Sequence, residues 1–200
     1  MALLLDVFGF LSVVLRGLVV TAQSLTLGGI AFLILLATPL GAELGDAGVA
    51  ILKRSLRLLR WSALSFAAIA LISITVEALI LADSLGLSAA ETLGANFVLA
   101  GFAIILAAAA ITVLCRSRGI PGTLALLALA AVILVAQTMS SHAAARLDDR
   151  LLVGLAELLH QAAAAVWIGG IPYLLLALAR CEDGIAMRRV GKRFSHMAMA

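Results

Sequence analysis

An acidic residue and a histidine stand three positions apart in an apolar stretch, as Glu157 and His160. On a helix this spacing places both side chains on one face, which Gln161, Ala164 and Trp167 continue. Glu157 can accept a hydrogen bond from the imidazole and fix its tautomer, or it can bind a metal ion directly. A single Glu-x-x-His pair does not make a di-metal carboxylate site, which needs the motif on a second helix. The pair therefore predicts a histidine ligand with a carboxylate beside it.

A second candidate ligand, His142, precedes this stretch. Met139 stands three positions before His142, and a thioether beside an imidazole suits a soft, monovalent ion such as Cu(I). The plainer alternative is a solvated loop histidine that binds no metal. Under the first interpretation, His142 with Met139 receives the ion and His160 is the internal ligand.

Two further ionisable residues, Arg16 and Glu77, lie inside apolar stretches. An ionised group within a bilayer costs several kcal/mol unless it is paired or hydrated, so each is a candidate functional residue. At 1.5 Å per residue, Arg16, Glu77 and His160 lie roughly 9 to 14 Å below the outer ends of their spans. This common level predicts a shared internal site. A buried structural ion pair between Arg16 and Glu77 is an equal alternative, and it would still orient a neighbouring ligand.

Five apolar stretches must position these residues. Hydrophobic residues make up 64% of the 200 positions, charged residues make up 12%, and the mean hydropathy is +1.19. A bilayer core needs roughly 20 apolar residues in a helix, and the stretches reach that length without the alternation of a membrane barrel. We predict an all-α, polytopic transmembrane helix bundle. It forms a single domain over residues 1–200, with spans at about 7–40, 61–82, 93–114, 120–140 and 151–179.

The positive charges between the stretches indicate the orientation. Eleven basic residues fall on one side: Lys53, Arg54, Arg57, Arg60, Arg116, Arg118, Arg180, Arg188, Arg189, Lys192 and Arg193. The other side holds Arg146 and Arg150. By the positive-inside rule the basic side is cytoplasmic and the N-terminus extracytoplasmic, in a cell inner membrane. The net charge of +3 follows from this topology, so we expect a lipid bilayer and no nucleic acid as partner.

The ends of the chain carry two further expectations. The first fifteen residues lack Lys and Arg, so the first stretch is expected to be a retained helix and not a cleavable signal peptide. The segment 190–200 is too short to cross a bilayer. It predicts either an interfacial tail or the start of a sixth span that has been cut off.

Several small or weakly polar residues have structural interpretations. Trp167 and the pair Gly169-Gly170 are most simply close-packing residues, because small residues let helices approach each other in lipid. The pair Gly28-Gly29 has the same interpretation. Cys115 and Cys181 are expected to be unbridged thiols at cytoplasmic helix ends.

The last stretch resembles the signature helix of a known family. Residues 157–170 (ELLHQAAAAVWIGG) contain an acidic residue, a histidine, small residues and Trp-x-Gly-Gly, as in the copper resistance protein D family (CopD/PcoD). Residues 141–145 (SHAAA) resemble that family's Gly/Ser-His-Ala element, and Arg16 with Gly28-Gly29 resembles its first helix. The resemblance implies an inner-membrane protein of more helices than this chain holds, which handles copper, often with a periplasmic copper-binding partner. It also implies that His142 and His160 are the ligands to test.

Together these features predict a non-enzymatic membrane protein that transports or takes up copper ions and contributes to copper homeostasis and resistance. The expected metal ligands are His142, His160, Glu157 and Met139, supported by Arg16, Glu77 and Trp167. One alternative is a haem-binding membrane electron carrier, because a buried histidine also holds the iron of b-type cytochromes. The other is a non-catalytic assembly subunit without stoichiometric metal. Catalysis is not expected, since the sequence shows no nucleophile with a base, no phosphate loop and no complete metal triad.

Overall fold

The computed structural model describes residues 2–116, 119–140, 149–181 and 184–199. These residues are almost entirely helical, which confirms the predicted all-α class. In chain order the helices are α1 (Ala2–Phe32), α2 (Thr38–Glu43), α3 (Gly45–Leu85), α4 (Ala89–Leu93), α5 (Asn96–Leu114), α6 (Thr123–Met139), α7 (Arg150–Ala164), α8 (Gly170–Leu178) and α9 (Gly184–Met199). Two π-helical turns, Leu33–Ala37 and Ala165–Gly169, join α1 to α2 and α7 to α8.

Four helical segments are long and apolar enough to cross a membrane. They are Gly9–Glu43, Gly45–Leu85, Asn96–Leu114 and Leu151–Leu178. The remaining apolar helix, α6, has 17 residues. It rises about 25 Å, which is near the lower limit for a bilayer core. This pattern is that of a membrane protein.

Helix α3 begins before the predicted second span. Helix α3 begins at Gly45 and not at Trp61, so the basic stretch 53–60 lies on a helix and not in a loop. Leu, Lys and Arg are good helix formers. Ser55 and Leu59 are buried four positions apart, so one face of this extension stays packed while Lys53, Arg54 and Arg57 are exposed.

Both π-helical turns precede a proline. Pro39 follows the turn Leu33–Ala37, and Pro172 follows the turn Ala165–Gly169. A proline inside a helix lacks the N–H for the carbonyl four residues earlier, and its ring clashes with that carbonyl. A widened turn just before the proline accommodates both effects, so the helix can continue past it.

The tightest helix contact joins α1 to the turn between α7 and α8. Gly28 lies against the backbone of Ala165 and Gly169, and Gly29 faces the ring of Tyr173, which is fully buried. No side chain fits at either α1 position without displacing these groups. The close-packing interpretation is therefore confirmed for Gly28-Gly29 and for Gly169. We call Gly28, Gly29, Gly169 and Tyr173 the glycine junction.

Helix α9 packs on one end of the bundle. Val190 is fully buried, and the ring of Phe194 lies 6.5 Å from that of Phe32, centroid to centroid. Arg193 donates from Nη2 to Glu43 Oε1 at 2.7 Å. The C-terminal segment is thus a helix held against the end of α1 and α2. We call this the α9 end of the bundle, and the opposite end, which carries α4, the α4 end.

Candidate functional site

Polar residues from three helices meet at one cavity toward the α4 end. Helices α1, α3, α5 and α6 line it, and its volume is about 110 Å³. Its polar lining residues are Arg16, Ser73, Glu77, Gln137 and Ser140. A polar cavity of that size can hold several water molecules. We call this site the polar cavity.

Arg16 and Glu77 face the polar cavity without a direct ion pair. Both side chains are exposed, and among the described residues the ion pairs all involve Glu43. Ser73 donates its hydroxyl to Glu77 Oε1 at 3.1 Å. A guanidinium and a carboxylate in a hydrated cavity compensate each other's charge without the desolvation cost of a dry pair. The geometry favours this hydrated arrangement over a buried structural pair.

Glu157 belongs to a hydrogen-bond chain between α7 and α1. Gln161 donates from Nε2 to Glu157 Oε1 at 3.1 Å, and Gln23 donates from Nε2 to Gln161 Oε1 at 3.0 Å. Gln23 is only 5% exposed, so the chain starts inside the bundle. The four-residue spacing of Glu157 and Gln161 lets one face of α7 supply both groups. Gln161 thus connects the Glu157 carboxylate to Gln23 of α1.

His160 follows Glu157 by three positions on α7. Successive residues of a helix are about 100° apart, so His160 is turned away from the face that Gln161 presents to α1. Its side chain is exposed, and Trp167 is also 60% exposed. The π-helical turn that begins at Ala165 changes the angular register before Trp167. His160 and Trp167 are thus exposed while Glu157 is half-buried, and the common face of Glu157 and His160 stays a prediction from their spacing.

The predicted metal ligands do not form one cluster within the described residues. In the ranges 2–116, 119–140, 149–181 and 184–199, no group of three or more His, Cys, Asp and Glu residues could hold a metal ion. Met139 is 60% exposed at the C-terminal end of α6. His142 lies outside the described residues. The copper site thus stays a prediction from the sequence.

The thiol groups lie at the α9 end of the spans. Burial raises the pKa of the Cys115 thiol to about 11, although the nearby Arg60 guanidinium acts to lower it. Cys115 and Cys181 are not disulfide-bonded to each other, as expected.

No protein-family model, curated protein or solved structure matches this chain. The likeness of residues 157–170 to the copper resistance protein D family accordingly rests on those residues themselves. A functional conclusion has to come from that likeness together with the chemistry of the described side chains.

Sequence reasoning missed four neutral polar residues in these groups. They are Gln23, Ser73, Gln137 and Ser140. The sequence prediction rested on ionisable residues within the spans, whereas these four side chains carry no charge. A usable signal was present in α6, where Gln137 and Ser140 stand three positions apart and therefore share a face. The four-residue spacing of Ser73 and Glu77 on α3 gives the same signal.

Proposed function

We propose that this protein transports or takes up copper across the cytoplasmic membrane and so contributes to copper homeostasis. The likeness of residues 157–170 to the copper resistance protein D family supports the proposal. One structural observation carries it. Ser140 lines the polar cavity, and in the sequence Met139 stands just before it and His142 two positions after it. In the sequence, a thioether (Met139) and an imidazole (His142) thus stand on either side of Ser140, which lines the polar cavity.

The polar cavity has a different role from the copper ligands. Its carboxylate, amide and hydroxyl oxygens are hard donors, whereas Cu(I) prefers thioether, thiolate and imidazole groups. In this proposal Met139, His142 and His160 bind the ion. Arg16 and Glu77 supply compensating charges, and the cavity supplies water, at the depth to which the ion descends.

His160 requires a further protein surface to complete a set of ligands. Only 6% of the most apolar window of Leu151–Leu178 is buried, against 50% for Gly9–Glu43. The exposed side of α7 therefore has room for another helix or a second copy of the chain. A periplasmic copper-binding protein, which the family likeness implies, would deliver the ion at the level of Met139 and His142.

The proposal assigns the α4 end to the extracytoplasmic side. The basic stretch 53–60 lies on the first half of α3, and the basic residues of α9 lie at the same end, where Arg193 reaches Glu43. By the positive-inside rule this end faces the cytoplasm of a cell inner membrane. The N-terminus is then extracytoplasmic.

Elemental analysis of the purified protein after Cu(I) loading tests the proposal. We expect the wild type to retain stoichiometric copper, and His142→Ala and His160→Ala each to lose most of it. His196→Ala is the matched control, because His196 is the third histidine of the chain and lies on α9. Copper retention that is unchanged in both ligand variants would contradict the assignment. A wild type that lacks copper and shows a Soret band would be a haem carrier instead.

A further inference from the structure

A groove with two different walls lies at the α9 end. It runs between α9 and the π-helical turn Leu33–Ala37, and its volume is about 570 Å³. The residues that define its two walls are Leu35, Leu36, Arg189, Lys192, Arg193 and His196. The leucines form the apolar wall, and the α9 residues form the cationic wall.

The cationic wall carries more positive than negative charge. Among the described residues, Glu43 is the carboxylate within ion-pair distance, at 2.7 Å from Arg193 Nη2 and 3.9 Å from Arg189 Nη1. Lys192 is exposed and makes no ion pair within the described part of the chain. One carboxylate cannot neutralise three permanent cations, so this wall favours an anionic ligand.

The apolar wall belongs to a segment that can cross the membrane. Leu35 is 55% exposed in the groove, and it lies within Gly9–Glu43, one of the four long apolar segments. The groove therefore lies where an apolar span meets a basic surface helix. Lipid headgroups and the first part of their acyl chains occupy that level of a bilayer.

We infer that this groove binds a phospholipid with an anionic headgroup. The phosphate lies against Lys192 and Arg189, and an acyl chain follows the apolar wall at Leu35. A juxtamembrane cationic cluster attracts anionic lipid, and the apolar wall gives a lipid contacts that a free phosphate lacks. A second copy of this chain suits the groove less well, because it would have to insert a carboxylate while its own basic surface was brought against the basic surface around the groove.

The two lysines of the chain allow an internally controlled test. Lys192 lines the groove, and Lys53 is an exposed lysine of α3 outside it. The full chain is reconstituted in nanodiscs of phosphatidylcholine alone or mixed with phosphatidylglycerol. Both lysines are then briefly acetylated and quantified by mass spectrometry. We expect phosphatidylglycerol to slow the acetylation of Lys192 about fivefold relative to that of Lys53.

Each other outcome overturns the inference. Equal slowing of both lysines would indicate only the general surface potential of the anionic membrane. Equal protection of Lys192 by inorganic phosphate in phosphatidylcholine nanodiscs would indicate a free-anion site. Protection that needs two protein copies per nanodisc and no anionic lipid would indicate self-association.

Variants give a second, independent measurement. Native mass spectrometry of the protein released from mixed nanodiscs counts the phosphatidylglycerol molecules that remain bound. We expect Lys192→Gln to lose the retained lipid and Lys53→Gln to keep it. Equal retention by the two variants would contradict a site at Lys192.

Discussion

The glycine junction and the polar cavity both use the long helix α1, in opposite ways. At the junction, Gly28 meets the backbone of Gly169, and the hydroxyl of Tyr173 reaches Leu25 O at 3.1 Å and Ser62 Oγ at 3.4 Å. At the cavity, larger polar side chains hold the helices apart around about 110 Å³ of space. The difference shows that one helix can be closely packed at one level and line a polar cavity at another.

The largest expected effect is at the junction itself. In Gly28→Ala the new Cβ meets backbone atoms of Ala165 and Gly169, which cannot move aside like a flexible side chain. We expect a loss of about 1 to 3 kcal/mol in the free energy of unfolding, measured in detergent. Gly17→Ala is the control on the same helix, because nothing lies within 4 Å of its Cβ position. Equal effects of the two substitutions would mean that the junction is not closely packed.

A smaller effect is expected from the Tyr173 hydroxyl. Tyr173→Phe keeps the buried ring but removes the hydrogen bonds to Leu25 and Ser62. We expect a loss of about 1 kcal/mol, and less for Ser62→Ala, because the shorter bond to Leu25 then remains. Chemical unfolding of the two variants in the same detergent measures this order. An equal loss in Ser62→Ala would show that the Leu25 bond contributes little.

The cavity should tolerate charge removal better than the junction tolerates a methyl group. We expect Arg16→Gln and Glu77→Gln each to cost less than about 1 kcal/mol of folding free energy, because both side chains are exposed and line a cavity with room for water. The double variant should be nearly additive, since the two groups do not touch. Single losses of about 3 to 5 kcal/mol that the double variant restores would indicate a buried ion pair instead.

The smallest effect is expected at the α4 end, outside the spans. Ser88 caps α4, and its hydroxyl and backbone N–H donate to Glu91, which lowers the pKa of that carboxyl from its usual 4.5. The pKa of Glu91 is lower in the folded protein than in the unfolded chain, so the ionised cap stabilises α4 fully at any pH above the unfolded pKa. This stabilisation is lost as the pH falls through the lowered pKa of the folded protein, where Glu91 becomes protonated. Amide exchange of α4, corrected for intrinsic rates, should therefore rise in acid.

The control for this prediction is Glu91→Gln, which cannot titrate. Its corrected exchange should be insensitive to pH over the same range. If the two proteins respond alike, the capping carboxylate does not govern the stability of α4.

Much of the frame could be predicted from the sequence, because hydropathy and small residues act through simple rules. The apolar stretches gave the all-α class, and the pairs Gly28-Gly29 and Gly169-Gly170 indicated close helix contact. The start of α3 could not be placed by charge alone, since a basic stretch is also stable on the exposed face of a helix. The two prolines that follow the π-helical turns were a signal that hydropathy does not detect.

The candidate site was harder to predict than the frame. Arg16 and Glu77 could be identified because they are ionisable residues in apolar stretches. Gln137 and Ser140 are neutral, and only their spacing on one helical face indicates that they belong to the same site. The orientation of His160 could not be predicted, because the hydrogen bond between Gln161 and Gln23 sets the rotation of α7. Such contacts depend on which helices are neighbours, and spacing along the chain does not determine that.

Thiol accessibility tests most directly whether water reaches the polar cavity from the α4 end. Ser73 lines the cavity, and Thr75 is exposed on the outside of α3, about 3 Å closer to the α4 end. The Ser73→Cys and Thr75→Cys variants in proteoliposomes are treated with a small water-soluble thiol reagent, and mass spectrometry quantifies each site. We predict that the Ser73→Cys thiol reacts and the shallower Thr75→Cys thiol does not, because a lipid-facing thiol meets neither water nor reagent. Reaction at Thr75→Cys with none at Ser73→Cys would contradict a hydrated cavity between the four helices.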